Sequence, residues 1–301
     1  MASEFYPLTQ KEDASYGWRR LYLMTPTELF NHEEALAVRL AAGIAMAREA
    51  GLLARQAFER MTPEQIRFKG PQDFLTATDL AVEQFLRESI VRQFPEDAIL
   101  GEELGGGIGE QTWVMDPIDG TANFARGIPH FCIVLAFVSQ QQTRFGIIYD
   151  PIHDEMYVAR QGGGATCNGK PLRVAPTQHF TAANIELGWS LRRSNADYLQ
   201  TLHRLLAAGG NVRRSACGAL ALAYVACGRT DGYIELHMNP WDCLAGLLLV
   251  QEAGGITTDL TADADWPQGG AVLAAVPLFA DVMAAAAGLR LEKPELTRKA
   301  V

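Results

Sequence analysis

An α/β fold is predicted from three observations. Helix-patterned and strand-patterned segments alternate through the C-terminal half, and a series of short apolar runs rich in β-branched and aromatic residues begins at Trp113. The chain is also long enough, at 301 residues and 48% hydrophobic, to bury one large core or two modest subdomains.

The elements follow in order. The first 32 residues mix polar, aromatic and proline positions without periodicity and read as an extension. Asn31 with Glu34 forms a candidate capping box, and the Ala/Leu-rich stretch from there to about Arg60 reads as a long helix. A second helix is expected after Asp79, with Val82, Phe85, Leu86 and Ile90 at helical spacing, ending before Pro95. Strands are expected at Ile99-Leu100, Trp113–Met115, Phe131–Val138, Arg144–Tyr149 and Glu155–Ala159. Gly162-Gly163-Gly164 suggests a bend or bulge rather than a phosphate loop, and Asn168-Gly169 signals a tight hairpin turn. Helices are then expected near Tyr198–Ala208, Ala219–Cys227, Pro240–Ala253 and from Pro277. Strands are expected near Val212, at Gly232–Leu236 and Gly255–Thr258, and near Ala271–Ala274.

Composition excludes some classes of function. The apolar runs, Ile133–Val138 and Leu247–Val250 among them, fall far short of the roughly 20 residues of a membrane-spanning helix. The opening Met1-Ala2-Ser3-Glu4 has no basic stretch leading into an apolar one, so a cytoplasmic protein is expected. Five scattered cysteines without a CxxC pair fit neither a disulfide framework nor a zinc site and read as buried free thiols. A net charge of -9 opposes non-specific attraction to nucleic acid, which is not expected as a partner.

The segment from Trp113 to Phe124 carries the strongest chemical signal: an apolar strand runs into Asp116-Pro117-Ile118-Asp119-Gly120-Thr121. Two carboxylates three residues apart across a proline turn can converge on one point, where oxygen ligands suit a hard cation such as Mg²⁺. Gly120 permits close backbone approach, and the Gly120 and Thr121 N–H groups can cradle phosphate oxygens. Glu102 and Glu103 follow a short apolar run, and Asp242 sits in the first turn of a helix headed by Pro240. Each feature alone has an ordinary explanation: a turn, a solvated acid pair, a helix cap.

Taken together the segments resemble the inositol monophosphatase family. The resemblance rests on Gly101-Glu102-Glu103, Trp113 to Phe124, and Trp241-Asp242 with Ala245-Gly246 and Glu252 to Gly255. It extends to Lys69 to Asp79, Gly127 to Phe131 and Asp231 to Glu235, covering about residues 33 to 285. It implies an αβαβα sandwich with an N-terminal α+β subdomain (33–180) bearing the metal motifs. A C-terminal α/β subdomain (181–301) would carry the specificity residues and the last metal ligand.

For the site, the resemblance implies that Glu102, Asp116, the Ile118 carbonyl, Asp119 and Asp242 hold two or three Mg²⁺ ions. Glu102, Thr121 and Asp79 would activate a water, while Asp119, Gly120, Thr121, Ala219, Glu235 and Lys69 would contact substrate. Bland alternatives stand beside two of these: a solvated surface lysine for Lys69 and a strand-end acid for Glu235. The expected activity is hydrolysis of a small phosphate monoester, such as an inositol phosphate, histidinol phosphate or sugar phosphate, in a lithium-sensitive homodimer. The bisphosphate nucleotidase branch is one alternative; a non-catalytic antitermination partner of RNA polymerase is another. The sequence departs from the family at Cys217-Gly218-Ala219, where a hydroxyl expected at 218 is missing, and in the run His237 to Pro240.

Overall fold

The computed structural model describes residues 26–60, 66–70, 73–262 and 265–291, with side chains described for 33–60, 76–262 and 265–291. The chain divides at Ala41/Ala42 into two units, and helix α1 (Pro26–Phe58) runs from the first into the second. It begins earlier than the Asn31 capping box predicts, so Asn31 lies inside the helix; the first helical residue is Pro26, whose fixed φ suits that position.

A hairpin of β1 (Ile66–Gly70) and β2 (Asp73–Thr76), which the sequence pattern does not reveal, leads into α2 (Ala77–Gln93). This helix starts just before Asp79 rather than after it. Thr76 is the N-cap and Asp79 the third helical residue, and each side chain bonds the other's end of a capping box.

The larger sheet has eight strands: β3 (Ala98–Gly101), β4 (Gly105–Gly106), β5 (Gln111–Asp119), β6 (Cys132–Ser139), β7 (Gln142–Asp150), β8 (Glu155–Arg160), β9 (Gly164–Cys167) and β10 (Lys170–Pro171). Their spatial order is β10-β9-β8-β7-β6-β5-β3-β4. All neighbours are antiparallel except the β3/β5 pair. The glycine triplet turns β8 into β9, and Asn168-Gly169, both at positive φ, makes the tight turn from β9 to β10. Between β5 and β6 lies the short helix α3 (Thr121–Ala125).

The smaller sheet is mixed. It comprises β11 (Asn184–Leu187), β12 (Asn211–Arg213), β13 (Gly232–Met238), β14 (Ile256–Thr257) and β15 (Gly270–Ala275) in the order β12-β11-β13-β15-β14. Strand β11 is parallel to both neighbours, and β15 is antiparallel to both of its own. The sequence pattern misses β11, whose Glu186 breaks an apolar run although it is buried.

Helices complete the layers: α4 (Asn195–Ala207), α5 (Gly218–Ala226), α6 (Pro240–Glu252) and α7 (Ala280–Ala287). Helices α5 and α6 are apolar nearly all round and lie between the two sheets, touching β6 and β7 on one side and β15 on the other. Buried residues of both helices and both sheets, Val134, Leu222, Leu248 and Val272 among them, form one core there. Gly146 of β7 makes this close packing possible, since a Cβ on it would stand 2.6 Å from the Ala245 backbone. Helices α4 and α7 cover the outer face of the smaller sheet around Leu205, Ile234 and Met283. On the outer face of the larger sheet, α2 packs against β5, and Gly43 of α1 meets Trp113 and Ile147. The result is an αβαβα sandwich.

Candidate metal centre and cavity

Strand β5 is buried from Thr112 to Ile118, and its register against β6 shifts between Asp116 and Asp119. The irregularity lets the chain present two acids at one strand end. Asp116 is 2% exposed and bonds its own turn, accepting from the Ile118 N–H at 2.8 Å. Gly120 follows at φ 93, where an added Cβ would stand 2.9 Å from the His130 carbonyl oxygen, so this turn requires glycine.

The parallel β3/β5 pairing places Gly101 opposite Met115 and so carries Glu102 to the end of β5, with the Glu102 N–H donating to the Met115 carbonyl. Helix α6 delivers Asp242, again the third helical residue, within a capping box on Asn239. One carboxylate oxygen from each of Glu102, Asp116 and Asp242 lies within 4.8 Å of the other two. Burial pushes Asp116 and Asp242 well above the usual carboxylate range, and the charge of Glu102 adds to it on both. Acidic groups crowded in a desolvated site, offering oxygen donors alone, fit a hard divalent cation, which supplies the charge they lack.

Asp119 lines the same cavity as this trio but stands outside it. Its Oδ2 accepts from the Ala219 N–H at 2.6 Å and from the Cys217 thiol at 3.1 Å. Burial raises its pKa, and these bonds oppose the rise. The side-chain donor from this turn is therefore the Cys217 thiol rather than a hydroxyl at 218. The space beside Gly218 is taken by Met238 Cε, 2.5 Å from an added Cβ, and the Tyr233 hydroxyl.

Thr121, at the start of α3, has its Oγ1 2.9 Å from the Ile118 carbonyl and 3.2 Å from Asp79 Oδ1. Asp79 Oδ2 is held by the Thr76 N–H at 2.9 Å and by the Thr76 hydroxyl. Burial raises the Asp79 pKa, and its hydrogen bonds oppose the rise.

These groups open on a cavity of about 240 Å³, lined by Glu102, Asp116, Ile118, Asp119, Gly120, Thr121 and Asp242 on one side and by Gly188, Trp189, Arg214, Tyr233 and Glu235 on another. Glu235 accepts from the Tyr233 hydroxyl, and burial with the nearby Asp119 charge pushes its carboxyl up to about 7. Ala219 lies beneath the wall and reaches the site through its N–H; Asp79 reaches it through Thr121. Lys69 belongs to β1, and its side chain is outside the described residues.

Three supporting residues escape the sequence reading. Glu83, fully buried, accepts from the Glu103 N–H at 2.7 Å and the Leu104 N–H at 3.1 Å, which fixes the loop after Glu102. Arg87 pairs with Glu83 one helical turn on, and that spacing is the sequence signal for it. Asn123 donates to the His130 carbonyl and the Ser215 carbonyl, joining the α3 turn to the segment before α5.

The sequence model of the inositol monophosphatase family matches residues 35–291. The Nus factor SuhB of Escherichia coli (strain K12) is 34% identical over 244 residues, 79% of this chain and 91% of that protein. Among solved structures, the extragenic suppressor protein suhB of Bartonella henselae superimposes with a TM-score of 0.77 at 31% identity, covering 83% of this chain and 98% of the other. The inositol monophosphatase of Anabaena (Nostoc) sp. does so with a TM-score of 0.73 at 33% identity, covering 84% and 96%.

Proposed function

The chain belongs to the inositol monophosphatase family, and we propose that it is a Mg²⁺-dependent phosphomonoesterase acting on a small phosphorylated alcohol. The observation that carries this reading is the convergence of Glu102, Asp116 and Asp242 on one point beside the Thr121–Asp79 pair. Glu102, Asp116, the Ile118 carbonyl, Asp119 and Asp242 would hold the ions, two or three in number. Bound Mg²⁺ supplies positive charge against the phosphate and acidifies the attacking water.

The chain's own groups do the rest. Thr121 donates its single hydroxyl proton toward Asp79 or the Ile118 carbonyl, which leaves its oxygen lone pairs to accept a hydrogen bond from water; as the water's proton passes to that oxygen, the hydroxyl's own proton passes to Asp79. Glu102 is the second acceptor. The Gly120 and Thr121 N–H groups face charge developing on the phosphoryl oxygens. Glu235 takes a hydroxyl or amine of the substrate, with the Ala219 turn and Lys69 completing the contacts. Inositol phosphates, histidinol phosphate and sugar phosphates all meet this description.

Phosphate release from these esters and from 3'-phosphoadenosine phosphate, with and without Mg²⁺, tests the reading. Release that depends on Mg²⁺ and vanishes in Asp116→Asn supports it, whereas release unaffected by Asp116→Asn removes it.

The Escherichia coli relative is a Nus factor, which favours a second reading and stands against the expectation that nucleic acid is no partner. On that reading the chain contacts the transcription machinery without catalysis. Wild type inert on every ester, yet binding RNA polymerase, would put it first.

A further inference from the structure

Two thiols meet beneath Asp119. Cys132 opens β6, Cys217 caps α5, and their Sγ atoms lie 3.8 Å apart, both buried. Cys217 Sγ is 3.1 Å from Asp119 Oδ2, and one ligand atom from each of the three residues lies within 4.8 Å of the other two. Cys217 and Asp119 both line the cavity, which gives an ion a route in.

The donor chemistry differs from that of the carboxylate cluster a few residues away. Oxygen-only donors select hard cations, while two sulfurs with one carboxylate select a thiophilic ion. Two sulfurs bound to tetrahedral Zn²⁺ at about 2.3 Å each stand about 3.8 Å apart. That separation is already present, so the sulfurs need little movement to bind.

We propose that Cys132, Cys217 and Asp119 form a second metal site, for a thiophilic divalent cation such as Zn²⁺ or Cd²⁺, sharing Asp119 with the hard-cation site. Each thiol exchanges its S–H bond for an S–metal bond and releases one proton to solvent, so the step needs no oxidant or reductant. Occupation draws Asp119 away from the hard-cation site. Zn²⁺ therefore inhibits phosphate release even when Mg²⁺ is saturating, a consequence that alone rests on the proposed phosphatase activity.

The test is a Cd²⁺ titration of the full chain in excess Mg²⁺, read by Cd–thiolate charge-transfer absorption. It is run in a Cys167→Ala/Cys227→Ala background, because these two half-buried thiols lie close enough for the charge of Cys227 to act on Cys167. Absorption saturating at one equivalent, and lost in both Cys132→Ala and Cys217→Ser, is expected. Circular dichroism checks folding, and Cys132→Ser replaces the alanine variant if that one is unfolded. No absorption, or absorption that survives either cysteine replacement, overturns the site. In the activity arm, Cys132→Ala should lose the Zn²⁺ inhibition seen with Mg²⁺ in excess; inhibition that persists places Zn²⁺ on the carboxylates and overturns the coupling. A wild type without phosphatase activity would sink the proposed function while the absorption arm still decides the site.

Discussion

The backbone N–H of Ala219 donates to Asp119 Oδ2 at 2.6 Å, across 100 residues of sequence, and so ties the first turn of α5 to the end of β5. Asp119 is thereby oriented before any ion arrives. Asp119→Asn keeps an acceptor oxygen for Ala219 but removes the charge. The variant should fold, while the rise in melting temperature that Mg²⁺ gives the wild type should shrink or vanish; an unchanged rise would show that Asp119 is not a ligand.

Stability should depend on pH more steeply without metal than with it. Asp116 and Asp242 have pKa values raised by burial first and by neighbouring carboxylates second. A group whose folded pKa lies above its unfolded value binds more protons when folded, so its contribution is full below the unfolded pKa and fades as pH rises through the folded one. In EDTA the melting temperature should therefore fall as pH rises from about 4 upward, and Mg²⁺ should remove most of that fall. Parallel curves with and without Mg²⁺ would contradict the assignment.

Thr121 separates hydroxyl chemistry from packing. Thr121→Ser keeps the oxygen between Asp79 and the Ile118 carbonyl and should retain activity within about 10-fold, whereas Thr121→Val should lose about 10²- to 10⁴-fold in kcat. Equal activity in the two variants would exclude the hydroxyl from proton transfer.

Glu235 should act on binding more than on chemistry. Glu235→Gln is expected to raise KM for the preferred ester with kcat within a few-fold, because the group lines the cavity without being one of the three carboxylates that meet at one point. In metal-free wild type its carboxyl, observed by NMR, should titrate near 7, and its contribution to stability should be lost between about 4.5 and 7. Titration near 4.5 would mean that the side chain is solvated.

Gly120→Ala forces a Cβ to 2.9 Å from the His130 carbonyl at a backbone angle alanine resists. A loss of about 1 to 3 kcal/mol is expected by chemical denaturation, together with a fall in phosphate release. Undiminished stability would show that the turn relaxes easily.

Much of the fold was legible because its signals are local. The runs at Cys132–Ser139 and Gln142–Asp150 are β-branched and aromatic, and Asn168-Gly169 dictates its own turn. The hairpin at Ile66–Thr76 and strand β11 were not legible. The first carries lysine, glycine and proline, and the second holds a buried Glu186 whose partner, the Ser215 N–H, comes from elsewhere in the chain.

By itself the sequence determined the alternation of elements, the family and the set of acids able to reach a metal, since these follow from residue type and short spacing. Only the tertiary structure decided which acids meet. Glu102 reaches Asp116 through a parallel strand pair, and Asp242 arrives on a helix buried between two sheets. Glu83 and Cys217 likewise acquire their roles from partners distant in sequence, the Glu103 N–H and Asp119. A buried charge or thiol is read by what surrounds it, and those surroundings exist only once the layers have packed.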